Sequence, residues 1–108
     1  MPRFIIIATH APSQCPGVNK QMGEIMQKVT EEAMRIGEKR GVKLLEPPIH
    51  LSPSHKIMAI LEAPNADALN DHLFESRLMQ VQDIEMYWAE PMPELMKKAE
   101  ALGQKPLY

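Results

Sequence analysis

Cysteine is nearly missing from this chain: Cys15 is the only one in 108 residues. An internal disulfide is therefore excluded, and a lone thiol suits a reducing compartment or a bridge between chains. Basic charge is not in excess. Lys and Arg total 12 against 14 Asp and Glu, a net charge of −2. No basic stripe interleaves with the few aromatics, so nothing marks a nucleic-acid partner. Long apolar runs are also lacking. The longest, Phe4 to Ala8, falls far short of the ~20 residues that cross a bilayer. The opening Met-Pro-Arg leads into that run without the basic, apolar and small-residue succession of a signal peptide, so the expected location is cytoplasmic. Glycine is scarce, and Gly17, Gly23, Gly37, Gly41 and Gly103 match neither P-loop nor Rossmann spacing. There is no Gly-x-Ser-x-Gly elbow, no repeat and no low-complexity tract.

What is present is an ordinary globular composition, 44% hydrophobic and 24% charged. The length suits one domain over 1–108. Arg3 to Thr9 is an isoleucine-rich strand apolar on both faces, as a central strand requires. Met22, Ile25, Met26, Val29, Ala33 and Ile36 recur at steps of three and four, which predicts an amphipathic helix over 19–40 stopped by Gly41. A second strand is expected over 42–51. Pro47-Pro48 cannot donate ladder hydrogen bonds and places it at a sheet edge with a bulge. Leu51-Ser52-Pro53-Ser54 links it to a third strand over 56–63. A helix over 66–78 follows with Asn65 as N-cap, its inward residues Leu69, His72 or Leu73, and Leu78. The segment 82–90 alternates cleanly, with Ile84, Met86 and Trp88 on one face and Asp83, Glu85 and Tyr87 on the other. Trp88 is expected in the core against the helices. Pro93 opens a C-terminal helix over 94–102, ended by Gly103.

This order is the α+β, ferredoxin-like βαββαβ pattern plus a C-terminal helix. Right-handed crossovers give an antiparallel sheet of order 4-1-3-2 with the helices on one face. The other face is apolar too, because each strand is bulky at both parities: Phe4 and Ile6 against Ile5 and Ile7, Met58 and Ile60 against Ile57 and Leu61. The simplest cover is a second copy by a two-fold contact, giving a homodimer through the sheet face or a higher oligomer. In element order and size, over 3–90, the chain resembles the dimeric α/β-barrel superfamily. That group includes antibiotic-biosynthesis monooxygenases, muconolactone isomerase and stress-responsive barrel proteins. The resemblance implies a small-molecule ligand and admits oxygenase, isomerase or decarboxylase chemistry, often without a cofactor.

Chemistry-bearing residues gather near one sheet edge in that topology. His10 ends the first strand and Cys15 follows within Ala11-Pro12-Ser13-Gln14-Cys15-Pro16. His50 and His55 flank the link between strands two and three, where they could form a cross-strand pair with Cβ atoms roughly 4.5–5.5 Å apart. Imidazoles and a thiolate together suit zinc, iron or copper, and the N-terminal end of a helix favours a thiolate. The spacing matches no zinc-finger or HExxH pattern. Bland readings stand beside this one: a carbonyl-bonded His10, exposed turn histidines, and Cys15-Pro16 as a helix start. His72 reads as a surface or half-buried residue, and Met22, Met26 and Met58 as adaptable packing rather than a copper–thioether site.

A second candidate is Glu62, a carboxylate amid Met58, Ile60 and Ile6, the setting of a general acid or base, with pairing to a lysine or arginine as its plain alternative. The expected pocket lining is Phe4, Ile6, Ala8, Met58, Ile60, Glu85 and Tyr87, with His10 and Glu62 as acid–base groups. On that parity His55 lies on the opposite side from His10 unless a bulge intervenes. Three classes stay open: a dimeric barrel with a His/Cys site at its mouth, a cofactor-free monooxygenase- or isomerase-type enzyme, and a non-catalytic ligand-binding or assembly module.

Overall fold

Ile5, Ile6 and Ile7 put β-branched bulk on both sides of the first strand, which becomes an interior strand of the sheet. The computed structural model describes residues 1–104, so the last four residues of the expected domain lie outside the described ones. Strand β1 (Arg3–Thr9) runs antiparallel to two long neighbours. On one side, two short edge strands, β2 (Lys43–Leu44) and β3 (Ile49–His50), pair with β4 (Lys56–Glu62). β4 pairs with β1, and β5 (Asp83–Ala89) closes the other side. This is the expected 4-1-3-2 order, with the second strand divided. From Leu44 to Ile49 the edge advances five residues while β4 runs only three, from Leu61 to Met58. Pro47 and Pro48 sit in the surplus, where no ladder donor is needed. Because the surplus is two residues, side-chain parity is preserved.

Helix α1 (Lys20–Arg40) starts where the Asn19 side chain accepts the Met22 N–H at 3.0 Å. It stops at Gly41, whose φ of 73° is left-handed. Helix α2 (Ala66–Glu75) starts in the same way, Asn65 accepting from Ala68 N–H. It ends three residues before the expected 78. The hydroxyl of buried Ser76 donates to the Leu73 carbonyl and accepts from Leu78 N–H, while Arg77 turns left-handed. A single turn, α3 (Leu78–Val81), follows, and then β5. Helix α4 (Met92–Ala101) carries Pro93 in its first turn and buries none of its residues. Leu69, His72 and Leu73 all face inward, as one stripe of α2 should.

The core lies between the helices and one sheet face: Phe4, Ile6, Val42, Leu61, Ala63, Leu69 and Leu73. Register decides which residues share that face. Phe4 is opposite Leu61 and Trp88, Ile6 opposite Ala59 and Met86, Ala8 opposite Ile57 and Ile84. All of these project toward the helices. Ile5, Ile7, Met58, Ile60, Glu62, Glu85 and Tyr87 project the other way. The expected pocket lining therefore mixed two faces: Phe4, Ile6 and Ala8 are core, while Met58, Ile60, Glu85 and Tyr87 belong to the open side. Ile6 is likewise no neighbour of Glu62. Trp88 has the expected parity but is not core. It lies beyond the cover of the helices, 58% exposed, with Lys98 Nζ 4.4 Å above its ring. The radius of gyration, 16.5 Å, exceeds the ~13 Å of a compact chain this long, as an unburied α4 would lead one to expect.

Candidate metal centre

β1 and β4 continue their ladder past Thr9: the His10 N–H donates to the His55 carbonyl at 3.2 Å. Directly opposed residues share a face, so both imidazoles stand on the helix side. Their ring centroids are 5.3 Å apart in an edge-on arrangement. The expectation that they face opposite sides is thus corrected without any bulge at this end, because β1 and β4 pair even-numbered residues with odd. The expected His50–His55 pair is corrected as well. His50 lies opposite Ile57, is exposed, and approaches the Ser52 hydroxyl with Nδ1 at 2.8 Å.

Cys15 reaches the pair through a stapled loop. Pro12–Gln14 form one 3-10 turn, after which Cys15 N–H donates to the Pro12 carbonyl. The Cys15 carbonyl then accepts from Val18 and Asn19 at 3.1 and 2.8 Å. The Asn19 amide ties the loop back by donating to the Ser13 carbonyl. The result brings one ligand atom each of His10, Cys15 and His55 within 4.8 Å of one another. Bonds of about 2.0–2.3 Å in a tetrahedral centre separate ligand atoms by roughly 3.3–3.6 Å, so side-chain rotations of about an ångström would close the site. His10 is 9% exposed, and neither ring nitrogen has a hydrogen-bond partner. A buried imidazole left in that way costs about 1–3 kcal/mol, a cost that a bound ion would remove.

The centre is not at the mouth of an open-face cavity but under the helices, at one end of the sheet. Two grooves, of about 570 and 520 Å³, lie elsewhere; neither is lined by His10, Cys15 or His55. His72 is more buried than expected. Its Nε2 contacts the Ala33 carbonyl at 2.8 Å, which joins α2 to α1. Besides Ser76, one more buried polar residue went unremarked in the sequence: Gln82, whose Oε1 has no partner. Its place one residue before an alternating strand carries no signal by itself.

No known family profile matches this chain, and no curated protein is significantly similar to it in sequence. Solved structures are similar in fold. A muconolactone isomerase superposes with a TM-score of 0.58 at 16% identity, over 86% of this chain and 92% of the other. A Deinococcus radiodurans protein attributed to antibiotic biosynthesis monooxygenases gives a TM-score of 0.47 at 14% identity, over 84% and 94%. The chain has a ferredoxin-like α+β fold with an antiparallel sheet, the fold it shares with the muconolactone isomerase. At these identities the likeness carries fold and no activity.

The open face of the sheet also carries ionisable side chains. Glu62 occupies it, but register sets it between Lys43 and Arg3 on the two neighbouring strands. Among the described residues no ion pair joins the Glu62 carboxylate to either cation. Tyr87 donates its hydroxyl to Glu85 on the same face. That hydrogen bond and the neighbouring negative charge raise the Tyr87 pKa above its usual value.

Proposed function

We propose that this protein is a homodimeric barrel whose protomers each hold one transition-metal ion at His10, Cys15 and His55. A small-molecule ligand would occupy the remaining coordination position. The observation that carries the reading is the buried His10, unpartnered at both nitrogens and set beside His55 and Cys15. Two imidazoles and a thiolate suit zinc, ferrous iron or copper. Three protein ligands leave a position for water or substrate, the arrangement of catalytic rather than structural zinc sites. Such an ion polarises a bound carbonyl or activates a bound water. Likeness in fold to a muconolactone isomerase makes isomerisation of a small lactone one reaction worth assaying. The dimer rests on a different observation: Ile5, Ile7, Met58 and Ile60 on a sheet face that no described element covers. The cofactor-free reading through Glu62 has less support, given Lys43 and Arg3 on either side of it.

Metal analysis of protein purified without a histidine tag tests the centre. The expected result is about one zinc, iron or copper ion per chain, lost in His10→Ala. Metal-free protein whose melting temperature does not respond to any of the three ions would overturn the reading.

A further inference from the structure

Gln82 follows α3 in extended backbone, φ −145° and ψ 151°, one residue before β5 begins. The last matched pair between β1 and β5 is Thr9 with Asp83. Extended by one step, that register would set His10 opposite Gln82, which lies just outside β5. By alternation from Ala8 and Ile84, both side chains belong to the helix-facing side. His10 would thus lie between His55 on one neighbour and Gln82, at the entrance to β5, on the other.

The two residues share a further property. Gln82 is 6% exposed, its Nε2 donates to the Met26 sulfur at 3.5 Å, and its Oε1 has no partner. His10 has two unpartnered nitrogens. A metal ion takes the lone pair of only one imidazole nitrogen. The other nitrogen must then carry a proton, and in a buried site that N–H needs an acceptor. The Met26 sulfur already holds the amide so that its nitrogen is engaged and its oxygen is free. The Gln82 carbonyl oxygen and the His10 ring are therefore both buried polar groups without a partner.

We propose that Gln82 is the positioning residue of the centre, with Oε1 accepting the ring N–H of metal-bound His10. It would thereby set which nitrogen faces the ion and hold the ring in plane. This inference rests on the metal centre described above. It adds a fourth residue, just ahead of a strand that contributes no ligand, and so would tie the site to both neighbours of β1.

The test uses untagged protein and cobalt(II) alone, kept reduced, with absorbance read in the thiolate-to-metal and d–d regions. Wild type should show a thiolate charge-transfer band that His10→Ala abolishes. Absence of that band in wild type overturns the centre, and Gln82's role with it, before any Gln82 variant is compared. Given the band, Gln82→Leu should weaken cobalt binding by about 10- to 100-fold, the usual effect of removing such a partner, and alter the d–d bands. The melting temperature of the metal-free protein should stay near that of wild type. Gln82→Met serves in its place if the leucine variant does not fold. Gln82→Glu should recover affinity, because a carboxylate accepts the same proton. Cobalt affinity within about twofold of wild type in Gln82→Leu or Gln82→Met, or a loss in Gln82→Glu as large as theirs, would overturn the role of Gln82 while leaving the centre intact.

Discussion

The helix-facing side of the sheet and its open side are built from similar residues and end in different circumstances. On the helix side, Phe4, Ile6 and Ala8 are buried together with Leu61. On the open side, the neighbouring Ile5, Ile7, Met58 and Ile60 are only half-buried, although they are as apolar. The difference comes from what lies above each face. α1 and α2 cover the first, and no described element covers the second. Polar groups follow the same division. The His10–His55 pair, Gln82 and His72 are on the covered side, while Arg3, Glu62, Lys43, Tyr87 and Glu85 are on the open one. The comparison teaches that apolar bulk tells how many faces need covering, and does not tell which face carries the chemistry.

The strongest way to break the comparison is to charge the open face. Ile7→Lys should dissociate the proposed dimer, because a two-fold across this face would bury two unpaired ammonium groups, each costing several kcal/mol. Sedimentation at micromolar concentration should then give half the wild-type mass. Wild type that already sediments as a monomer would remove the dimer. A cut on the covered face should act on folding instead. Leu69 is fully buried, so Leu69→Ala should lower unfolding free energy by about 2–5 kcal/mol in urea titrations. A loss under about 1 kcal/mol would mean that the core is packed differently.

The histidines sharpen the comparison further. Metal at about a hundredfold excess over its Kd should add about 2.7 kcal/mol to stability. His55→Ala should abolish that gain, while His50→Ala, on the exposed edge, should keep it. Equal effects of the two would contradict the separation seen here. The smallest effect belongs to Tyr87. Its raised folded pKa favours the neutral phenol, so its contribution to stability is complete below the usual tyrosine value of about 10. The contribution fades as pH rises from there through the folded value. Glu85→Gln should bring the Tyr87 midpoint, followed by site-resolved NMR, back toward the usual value. An unchanged midpoint would place the cause elsewhere.

Much of the fold was legible from local signals. Asn19 and Asn65 mark helix starts, Gly41 a stop, and Pro47-Pro48 an edge. Each imposes its constraint within a few residues, so tertiary context seldom overrides it. The site was legible only in part. His10, Cys15 and His55 stood out as ligand types at strand ends and do come together, whereas His50, chosen on symmetry about the same link, does not. Gln82 gave no sign, since a glutamine at a strand start is ordinary until its partner strand is known. The end of α2 at Glu75 was also hidden, because Ser76 and Arg77 form their turn through a buried hydroxyl rather than through a glycine.

The sequence by itself determined the elements, their order, and the need to cover a sheet on both sides, because periodicity and turn chemistry act locally and apolar area must leave water. Only the tertiary structure decided parity. A one-residue change of register moves every side chain to the opposite face, and with both faces apolar, neither register is disfavoured by hydrophobic pattern alone. Packing of α1 and α2 onto the Phe4–Leu61 face chose between them, and that choice put His10 beside His55 and left Glu62 on the other side.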